Sequence, residues 1–187
     1  MIKNKTTSIL FIGEHSIWSE IACNFVKLYF DKVSFLTWSK EDKRPDIKKD
    51  WSGDWIISFK SDLVLAKEEI ELAKKGAINF HPSTPKYRGI GGYFHAINNR
   101  DAQFGATCHI MDKHIDHGLI LKTVIFNIKK SDTEKSLRER TAIYCLALLH
   151  DVIQNIFEGN KLKPNGEIWG KRLYLESEIP KSNIKTR

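Results

Sequence analysis

The stretch DWIISFKSDLVLAKEEIELAKKGAINFHPS, residues 54–83, decides the fold that we predict. It begins with an apolar run, DWIISF (54–59), and ends with a second short one, AINF (77–80), both typical of buried strands. Between them, KEEIELAKK (67–75) contains strong helix formers, and Gly76 follows it as a residue that commonly ends a helix. The stretch therefore predicts a strand, a helix and a second strand.

The same alternation extends toward the N-terminus. SILFIG (8–13) and VSFLTW (33–38) predict two more strands. Between them, apolar residues recur at helical spacing: Ile17, Ile21, Phe25 and Leu28. Strands that alternate with helices are typical of a doubly wound sheet. We therefore predict an α/β fold with a mostly parallel twisted sheet flanked by helices.

Further elements follow toward the C-terminus. YFHAINNR (93–100) predicts a helix, and GATCHIMD (105–112) and LILKTVIFNI (119–128) predict two strands. The capping-box pattern Ser131-Asp132-Thr133-Glu134 predicts the start of a long helix, which Gly159 ends. Apolar residues surround much of this helix, so it is either a buried core helix or part of a homodimer face.

The polar residues from Lys161 onward, with Pro164, Gly166 and Pro180, indicate an extended arm. We expect residues 1–160 to form one domain and residues 161–187 to form that arm. The apolar run near the N-terminus is too short for a signal peptide or a membrane span. We therefore expect a cytoplasmic protein with no membrane segment.

Net charge suggests an anionic partner. The chain has 187 residues, and its 30 basic and 23 acidic side chains give a net charge of +7. Such a balance suits a nucleotide-linked substrate, a polyglutamated cofactor or RNA. However, the lysines are spread along the chain, and only short clusters stand out: Lys48-Lys49, Lys129-Lys130 and the tail from Lys181. We therefore do not predict nucleic-acid binding.

We predict no structural metal and no disulfide framework. The three cysteines, Cys23, Cys108 and Cys145, are far apart and lack the spacing of a zinc site. His114 and His117, with Asp112 and Asp116 beside them, suggest a metal cluster. An HxxH pair in a turn nevertheless lacks a third ligand at a familiar spacing.

Asn79 and His81 are the first candidates for catalysis. On an extended segment, two residues that flank a third project from the same side, so both side chains can face one reacting group. An asparagine amide can donate to an oxyanion, and an imidazole can move a proton near neutral pH. Asp116, in a turn with Gly118, either serves that turn alone or orients His81.

His109 has two interpretations. It is either an ordinary buried, hydrogen-bonded histidine or a residue that lines the site from a strand. The turn Gly13-Glu14-His15-Ser16 contains one glycine, so it is neither a dinucleotide fingerprint nor a phosphate-binding loop. We therefore do not expect NAD-dependent chemistry or ATP hydrolysis.

The combined motifs resemble a known family. Asn79-Phe80-His81-Pro82-Ser83, Tyr87-Arg88-Gly89 and the run FGATCHIMD with a later DHGLI, together within residues 79–121, are similar to the core of the folate-dependent formyltransferases. This family includes the glycinamide ribonucleotide, methionyl-tRNA and sugar-nucleotide enzymes. The resemblance implies a Rossmann-like catalytic domain and transfer of a formyl group from 10-formyltetrahydrofolate to a primary amine, without a metal.

The resemblance also implies roles for three residues. Asn79 would stabilise the oxyanion, His81 would assist proton movement from the amine and toward the leaving folate nitrogen, and Asp116 would hold and polarise His81. It gives no assignment of folate-binding residues. For substrate binding it points to four positions: Ser83, Tyr87, Arg88 and Gly91.

The acceptor amine is inferred from finer similarities. Residues 85–93 and the tail Trp169-Gly170-Lys171-Arg172-Leu173-Tyr174 are similar to the sugar enzymes, so we expect a nucleotide-linked amino-deoxy sugar, with a TDP-linked 3- or 4-amino sugar favoured. In this tail, Trp169 or Tyr174 could stack on a base or pack on a partner. Methionyl-tRNA enzymes usually carry a further barrel domain for which we see no room, and the glycinamide ribonucleotide enzymes normally have Gly-Ser-Asn where this chain has Gly13-Glu14-His15.

Alternative functions remain open. The chain could act on a ribonucleotide amine or an aminoacyl-tRNA, or it could be a catalytically lapsed relative that binds without turnover. The short loop Pro82-Ser83-Thr84-Pro85 and the short portion before Asn79 motivate this last alternative.

Overall fold

A computed structural model describes residues 3–180. Within these residues, six long strands form one sheet: β1 Asn4–Gly13, β2 Phe30–Thr37, β3 Gly53–Phe59, β4 Ala73–His81, β6 Gln103–Ile110 and β7 Ile120–Asn127. Two short strands pair with each other: β5 Arg88–Gly89 and β8 Leu173–Tyr174.

The helices lie between these strands. They are α1 Ile17–Tyr29, α2 Ile47–Asp50, α3 Lys67–Ile70, α4 Gly92–Asn98 and α5 Glu134–Glu158, followed by a 3₁₀ turn over Glu176–Glu178. The first helix is capped by the Ser16 side chain, which accepts a hydrogen bond from the backbone N–H of Ser19. The last α-helix ends at Gly159, whose φ of 75° is the left-handed conformation that glycine adopts easily.

The order of strands in the sheet is β2-β1-β3-β4-β6-β7. Neighbours among β1 to β4 are parallel, whereas β6 is antiparallel to both β4 and β7. The predicted mostly parallel α/β sheet flanked by helices is confirmed. Because β4 is a central strand, its C-terminal end lies among loops from both halves of the sheet.

Alternate residues of β1 pack into two different cores. Ile9 and Phe11 face α1 and α5, while Leu10 and Ile12 face the side of α2. On α5, nine residues are buried: Leu137, Thr141, Ala142, Cys145, Leu148, Leu149, Val152, Ile153 and Ile156. The long helix is therefore a core helix of this chain, and a homodimer stays a prediction.

The prediction of a helix over residues 67–75 is wrong. α3 ends at Ile70, and β4 begins at Ala73. Gly76, with φ of 142°, lies within the strand opposite Trp55 and does not end a helix. The reason is tertiary: pairing with β3 satisfies the backbone groups of this segment and buries Ala73, and this outweighs a local helix propensity of a few tenths of a kcal/mol per residue.

The position of the predicted capping box is also wrong. Thr133 is the N-cap, and it exchanges hydrogen bonds with Ser136. Asp132 is used differently, because its carboxylate accepts from the backbone N–H of Lys129 at 2.7 Å and from the Arg140 side chain. The turn that the Asp132 side chain closes precedes α5, so Ser131 lies outside the helix.

The arm returns to the body of the chain. β8 pairs with β5 in parallel, with Gly89 opposite Tyr174. The Trp169 side chain donates from Nε1 to the backbone oxygen of Gly118 at 2.7 Å. The division of the chain at residue 160 stays a prediction, and the basic tail from Lys181 lies outside the described residues. Across residues 3–180, every helix is too short or too polar to cross a membrane.

Candidate active site

The end of β4 presents two polar side chains on one face of the sheet. Asn79 and His81 flank Phe80 in an extended strand, so they project to the same side. In the antiparallel neighbour β6, His109 lies directly opposite Asn79. An amide and two imidazoles therefore meet at the C-terminal end of the central strand.

Asp116 joins these residues from the loop between β6 and β7. Its Oδ2 lies 3.3 Å from Nδ1 of His81 and accepts a hydrogen bond from the Gly89 N–H at 2.7 Å. Its Oδ1 accepts from the Asn79 amide at 3.4 Å. Asp116 has a φ of 42°, a conformation that aspartate tolerates better than most residues. The three candidate catalytic residues thus lie together, and their catalytic roles stay predictions.

The Asp116 carboxylate is held in its charged form. Burial by itself raises the pKa of Asp116, which is 6% exposed. The charge of His81, together with His109 and the hydrogen bond from Gly89, outweighs burial and lowers this pKa to about 2. The site therefore contains a fixed negative charge beside an imidazole.

Both ring nitrogens of His81 face oxygen atoms. Nδ1 faces Asp116, and Nε2 lies 2.8 Å from the backbone oxygen of Tyr87. His81 therefore contacts one charged oxygen, that of Asp116, and one neutral backbone oxygen, that of Tyr87.

His109 combines the two interpretations that the sequence left open. It is buried, at 2% exposure, and its Nδ1 lies 3.0 Å from the backbone oxygen of Ile110. Its Nε2 lies 3.1 Å from Asn79 Nδ2 and 3.4 Å from Asp116 Oδ1. His109 is thus an ordinary buried histidine by its burial and a member of the polar cluster by its contacts.

The indole of Trp169 lies against the two histidine rings. Its ring centre is 4.9 Å from that of His109 and 5.8 Å from that of His81. Tyr174 likewise packs on the chain itself, with its ring 4.4 Å from His95. Both aromatic residues are thus partly buried against the body of the chain. Stacking of either ring on a base or on a partner stays a prediction.

A cavity of about 280 Å³ opens beside the cluster. Its lining includes Asn79, His81, His109 and Asp116 and also apolar side chains, among them Leu63, Leu65, Ile90 and Met111. A pocket that combines apolar side chains with polar groups is typical of sites for small organic ligands.

Two of the predicted substrate-binding residues line this cavity. Ser83 is 2% exposed, and within residues 3–180 its Oγ has no hydrogen-bond partner. Gly91 has a φ of 91°, which favours glycine, and lies next to Gly92. A Cβ atom on Gly92 would lie 2.4 Å from Ser83 Oγ, so the glycine leaves room for this buried hydroxyl.

Comparison with known proteins identifies the family. A model described as formyl transferase matches residues 39–153, more than half of the chain. The chain belongs to the formyl transferase family. The resemblance read from the sequence is therefore confirmed.

Two curated relatives of this formyl transferase chain differ in acceptor. GDP-perosamine N-formyltransferase of Brucella melitensis is 32% identical over 128 residues, covering 68% of this chain and 48% of that protein. Methionyl-tRNA formyltransferase of Borreliella burgdorferi is 31% identical over 120 residues, covering 64% of this chain and 38% of that protein. The chain spans about half the length, or less, of these relatives.

The formyl transferase fold is also similar to a solved structure. This is the N-formyltransferase from Helicobacter canadensis in complex with folinic acid and dTDP-3-aminofucose, with a TM-score of 0.76 and 22% identity. The match covers 91% of this chain and 72% of that one. At this identity, the likeness shows the fold.

The other two predicted substrate-binding residues of this formyl transferase chain contact the protein itself. Tyr87 is 1% exposed, and its hydroxyl donates to Asp101 at 2.7 Å. The Arg88 side chain donates to the backbone oxygens of Asp116 at 2.6 Å and Ile115 at 3.0 Å. These contacts hold the loop that carries Asp116, and direct binding of substrate by Tyr87 or Arg88 stays a prediction.

An ion cluster in the cavity lining was missed by sequence reasoning. Buried Lys60 donates from Nζ to Glu14 Oε1 at 2.9 Å, and Arg138 donates to Glu14 Oε2 at 2.6 Å. Burial raises the pKa of Glu14, but the charges of Lys60 and Arg138 outweigh it and lower this pKa. Two cations thus share one carboxylate. No motif marks Lys60 or Arg138 in the sequence.

Proposed function

We propose that this chain transfers the formyl group of 10-formyltetrahydrofolate to the primary amine of a nucleotide-linked amino-deoxy sugar, in the cytoplasm. The observation that carries the proposal is the contact of one charged carboxylate, Asp116, with both His81 and Asn79 at the cavity. An oxyanion donor beside a proton-transfer group is the combination that attack of an amine on a carbonyl requires.

The cavity suits the flat ring of a folate. Leu63, Leu65 and Met111 supply apolar surface for the faces of the ring, and polar side chains of the same lining supply partners for its polar edges. When bound, the folate supplies the formyl carbon that the amine attacks. The relative from Helicobacter canadensis was solved with folinic acid, which supports a folate donor for this chain as well.

Asn79 is the proposed oxyanion donor. Its amide hydrogen bond to Asp116 is long, at 3.4 Å, so the N–H can turn to a carbonyl oxygen that gains negative charge. The neighbouring His109 ring, 3.1 Å from Nδ2, limits how far the amide can move. The donor is therefore held close to where the charge develops.

His81 is the proposed proton carrier. The backbone oxygen of Tyr87 lies 2.8 Å from Nε2 of His81. The substrate amine takes the place of this oxygen as the partner of Nε2. Asp116, 3.3 Å from Nδ1, stabilises the positive charge of the ring while it holds the amine proton and passes it toward the departing nitrogen. Trp169 keeps water from one side of the two histidine rings.

A sugar nucleotide is favoured as the acceptor. One curated relative acts on GDP-perosamine by its name, and the solved neighbour was crystallised with dTDP-3-aminofucose. We favour a TDP-linked 3- or 4-amino sugar and keep the GDP-linked class as a direct comparison.

The experiment mixes the purified chain with 10-formyltetrahydrofolate and a panel of TDP- and GDP-linked amino sugars, with a glycinamide ribonucleotide and methionyl-tRNA as alternative acceptors. Mass spectrometry then detects the added formyl group. We expect formylation of one amino-sugar nucleotide. Formylation of methionyl-tRNA or the ribonucleotide alone would overturn the acceptor class. Tight folate binding without any product would support a binding relative that has lost turnover.

A further inference from the structure

The loop that follows β6 brings together two imidazoles and a carboxylate that the proposed reaction does not use. Asp112, His114 and His117 each offer one ligand atom, and these three atoms lie within 4.8 Å of one another. Nδ1 of His117 lies 2.7 Å from Asp112 Oδ2, and Nδ1 of His114 lies 3.6 Å from Asp112 Oδ1. Within residues 3–180, this is the one such group of three.

We propose that Asp112, His114 and His117 form a binding site for a divalent first-row transition metal, with zinc as the reference ion. The HxxH pair alone lacks a third ligand, and the structure supplies it in Asp112, which precedes the pair in the sequence. Two imidazoles and one carboxylate form a ligand set that zinc, nickel and copper accept and that magnesium and calcium do not favour.

The distances are compatible with coordination. Metal–ligand bonds of about 2.0–2.2 Å in a tetrahedron place ligand atoms roughly 3.3 Å apart. The two Asp112–histidine separations, 2.7 and 3.6 Å, bracket this value. The side chains are about half exposed, at 39% for Asp112, 54% for His114 and 53% for His117, so small rotations close the remaining gap.

One ligand is already oriented by the backbone. The Oδ1 atom of Asp112 accepts from the N–H of His114 at 2.8 Å, which fixes the carboxylate in the turn. A second, shallow cavity lies against the cluster and is lined also by Ile70 and Glu71. This open side leaves room for water to complete the coordination, as at zinc sites with three protein ligands.

The site lies on the segment that carries Asp116. A metal that joins Asp112, His114 and His117 links residues on both sides of Asp116, so it fixes this loop from its solvent side. Within the chain, Arg88 holds the same loop through the backbone oxygens of Ile115 and Asp116. Metal binding therefore stabilises the loop, and it does so whether or not the proposed formyl transfer is correct.

The test uses the chain without a histidine tag, treated with a chelator and then titrated with zinc chloride in a calorimeter. His114→Ala and His117→Ala remove one ligand each. His15→Ala is the matched control, because His15 and Asp42 also form an exposed pair at 2.6 Å, with exposures of 52% and 42%, but without a second imidazole.

We expect the wild-type chain and His15→Ala to bind about one equivalent of zinc and to gain thermal stability from it, because a metal bound only by the folded state stabilises that state. His114→Ala and His117→Ala should lose both the binding and the gain, while unfolding as the wild type does in chelator. Absence of binding to the wild type, or binding that neither ligand substitution weakens, would overturn the site.

Discussion

Asp116 Oδ2 lies 3.3 Å from Nδ1 of His81, although one residue belongs to a loop and the other ends the central strand. The same oxygen accepts the N–H of Gly89, and the other carboxylate oxygen accepts the amide of Asn79. One buried charge thus fixes three neighbours at once.

Asn79→Ala removes the proposed oxyanion donor. We expect kcat for formyl transfer to fall about a hundred- to a thousandfold, with a smaller change in KM, because the hydrogen bond strengthens as charge develops. Steady-state kinetics measures both, with the acceptor that the panel experiment yields. Asn98→Ala is the control, since Asn98 is exposed on α4 and its amide donates to the local Phe94 oxygen. A fall in kcat of less than about tenfold in Asn79→Ala would mean that Asn79 is not the oxyanion donor.

Asp116→Asn removes a charge whose pKa is lowered to about 2. Because the folded-state pKa lies below the value of about 3.9 typical of unfolded chains, the carboxylate stabilises the folded state above pH 4. That contribution, on the order of 2 kcal/mol, is lost as the pH falls from about 4 through about 2. Urea unfolding from pH 6 to pH 2 should therefore show a wild-type advantage over the variant that shrinks across this window. An advantage that stays constant would mean that Asp116 is not charged as described.

Gly89→Ala tests the junction between the arm and the site. A Cβ atom there would lie 2.3 Å from the backbone oxygen of Tyr174, and the φ of 84° adds strain. Gly166→Ala has the same φ of 84° but nothing within 4 Å, so it isolates the strain alone. We expect Gly166→Ala to cost about 1–2 kcal/mol in urea unfolding. Gly89→Ala should cost a further 1–3 kcal/mol, roughly, by overpacking. Equal losses would mean that β5 and β8 do not pair as described.

Trp169→Ala uncovers the two histidine rings. We expect kcat to fall roughly ten- to a hundredfold, because the rings lose the contact that holds their geometry. Trp18→Ala is the matched control: Trp18 is also partly buried and donates from Nε1, to Glu139 at 2.7 Å, but lies on α1 and packs against the core between α1 and α5. If the loss of activity in each variant is explained by its loss of stability, Trp169 contributes to folding alone.

Most of the fold could be predicted from local patterns. The apolar runs marked the long strands, because a strand buried on both faces needs nearly continuous apolar residues. The short helix at Lys67–Ile70 was overextended because the pairing of Ala73 and Gly76 with β3 is not encoded in the residues around them. Similarly, the use of Asp132 in a turn moved the helix start to Thr133.

The site was predictable only in part. Spacing placed Asn79 and His81 on one side of a strand, but the link to Asp116 depended on the family resemblance, since nothing local joins the two segments. No residue pattern signalled the packing of Trp169 on the histidine rings or the contacts of Lys60 and Arg138 with Glu14. These contacts join residues that are far apart in the sequence. The sequence already placed Asp112 beside His114 and His117, but only the structure shows that one ligand atom from each lies within 4.8 Å of the others.

The most direct measurement compares single-turnover formyl transfer by the wild-type chain and by His81→Ala at saturating 10-formyltetrahydrofolate. We expect the variant still to bind the folate and keep its fold but to transfer the formyl group about 10²- to 10⁴-fold more slowly. A His81→Ala rate within a few-fold of the wild type would mean that proton transfer does not depend on the imidazole beside Asp116.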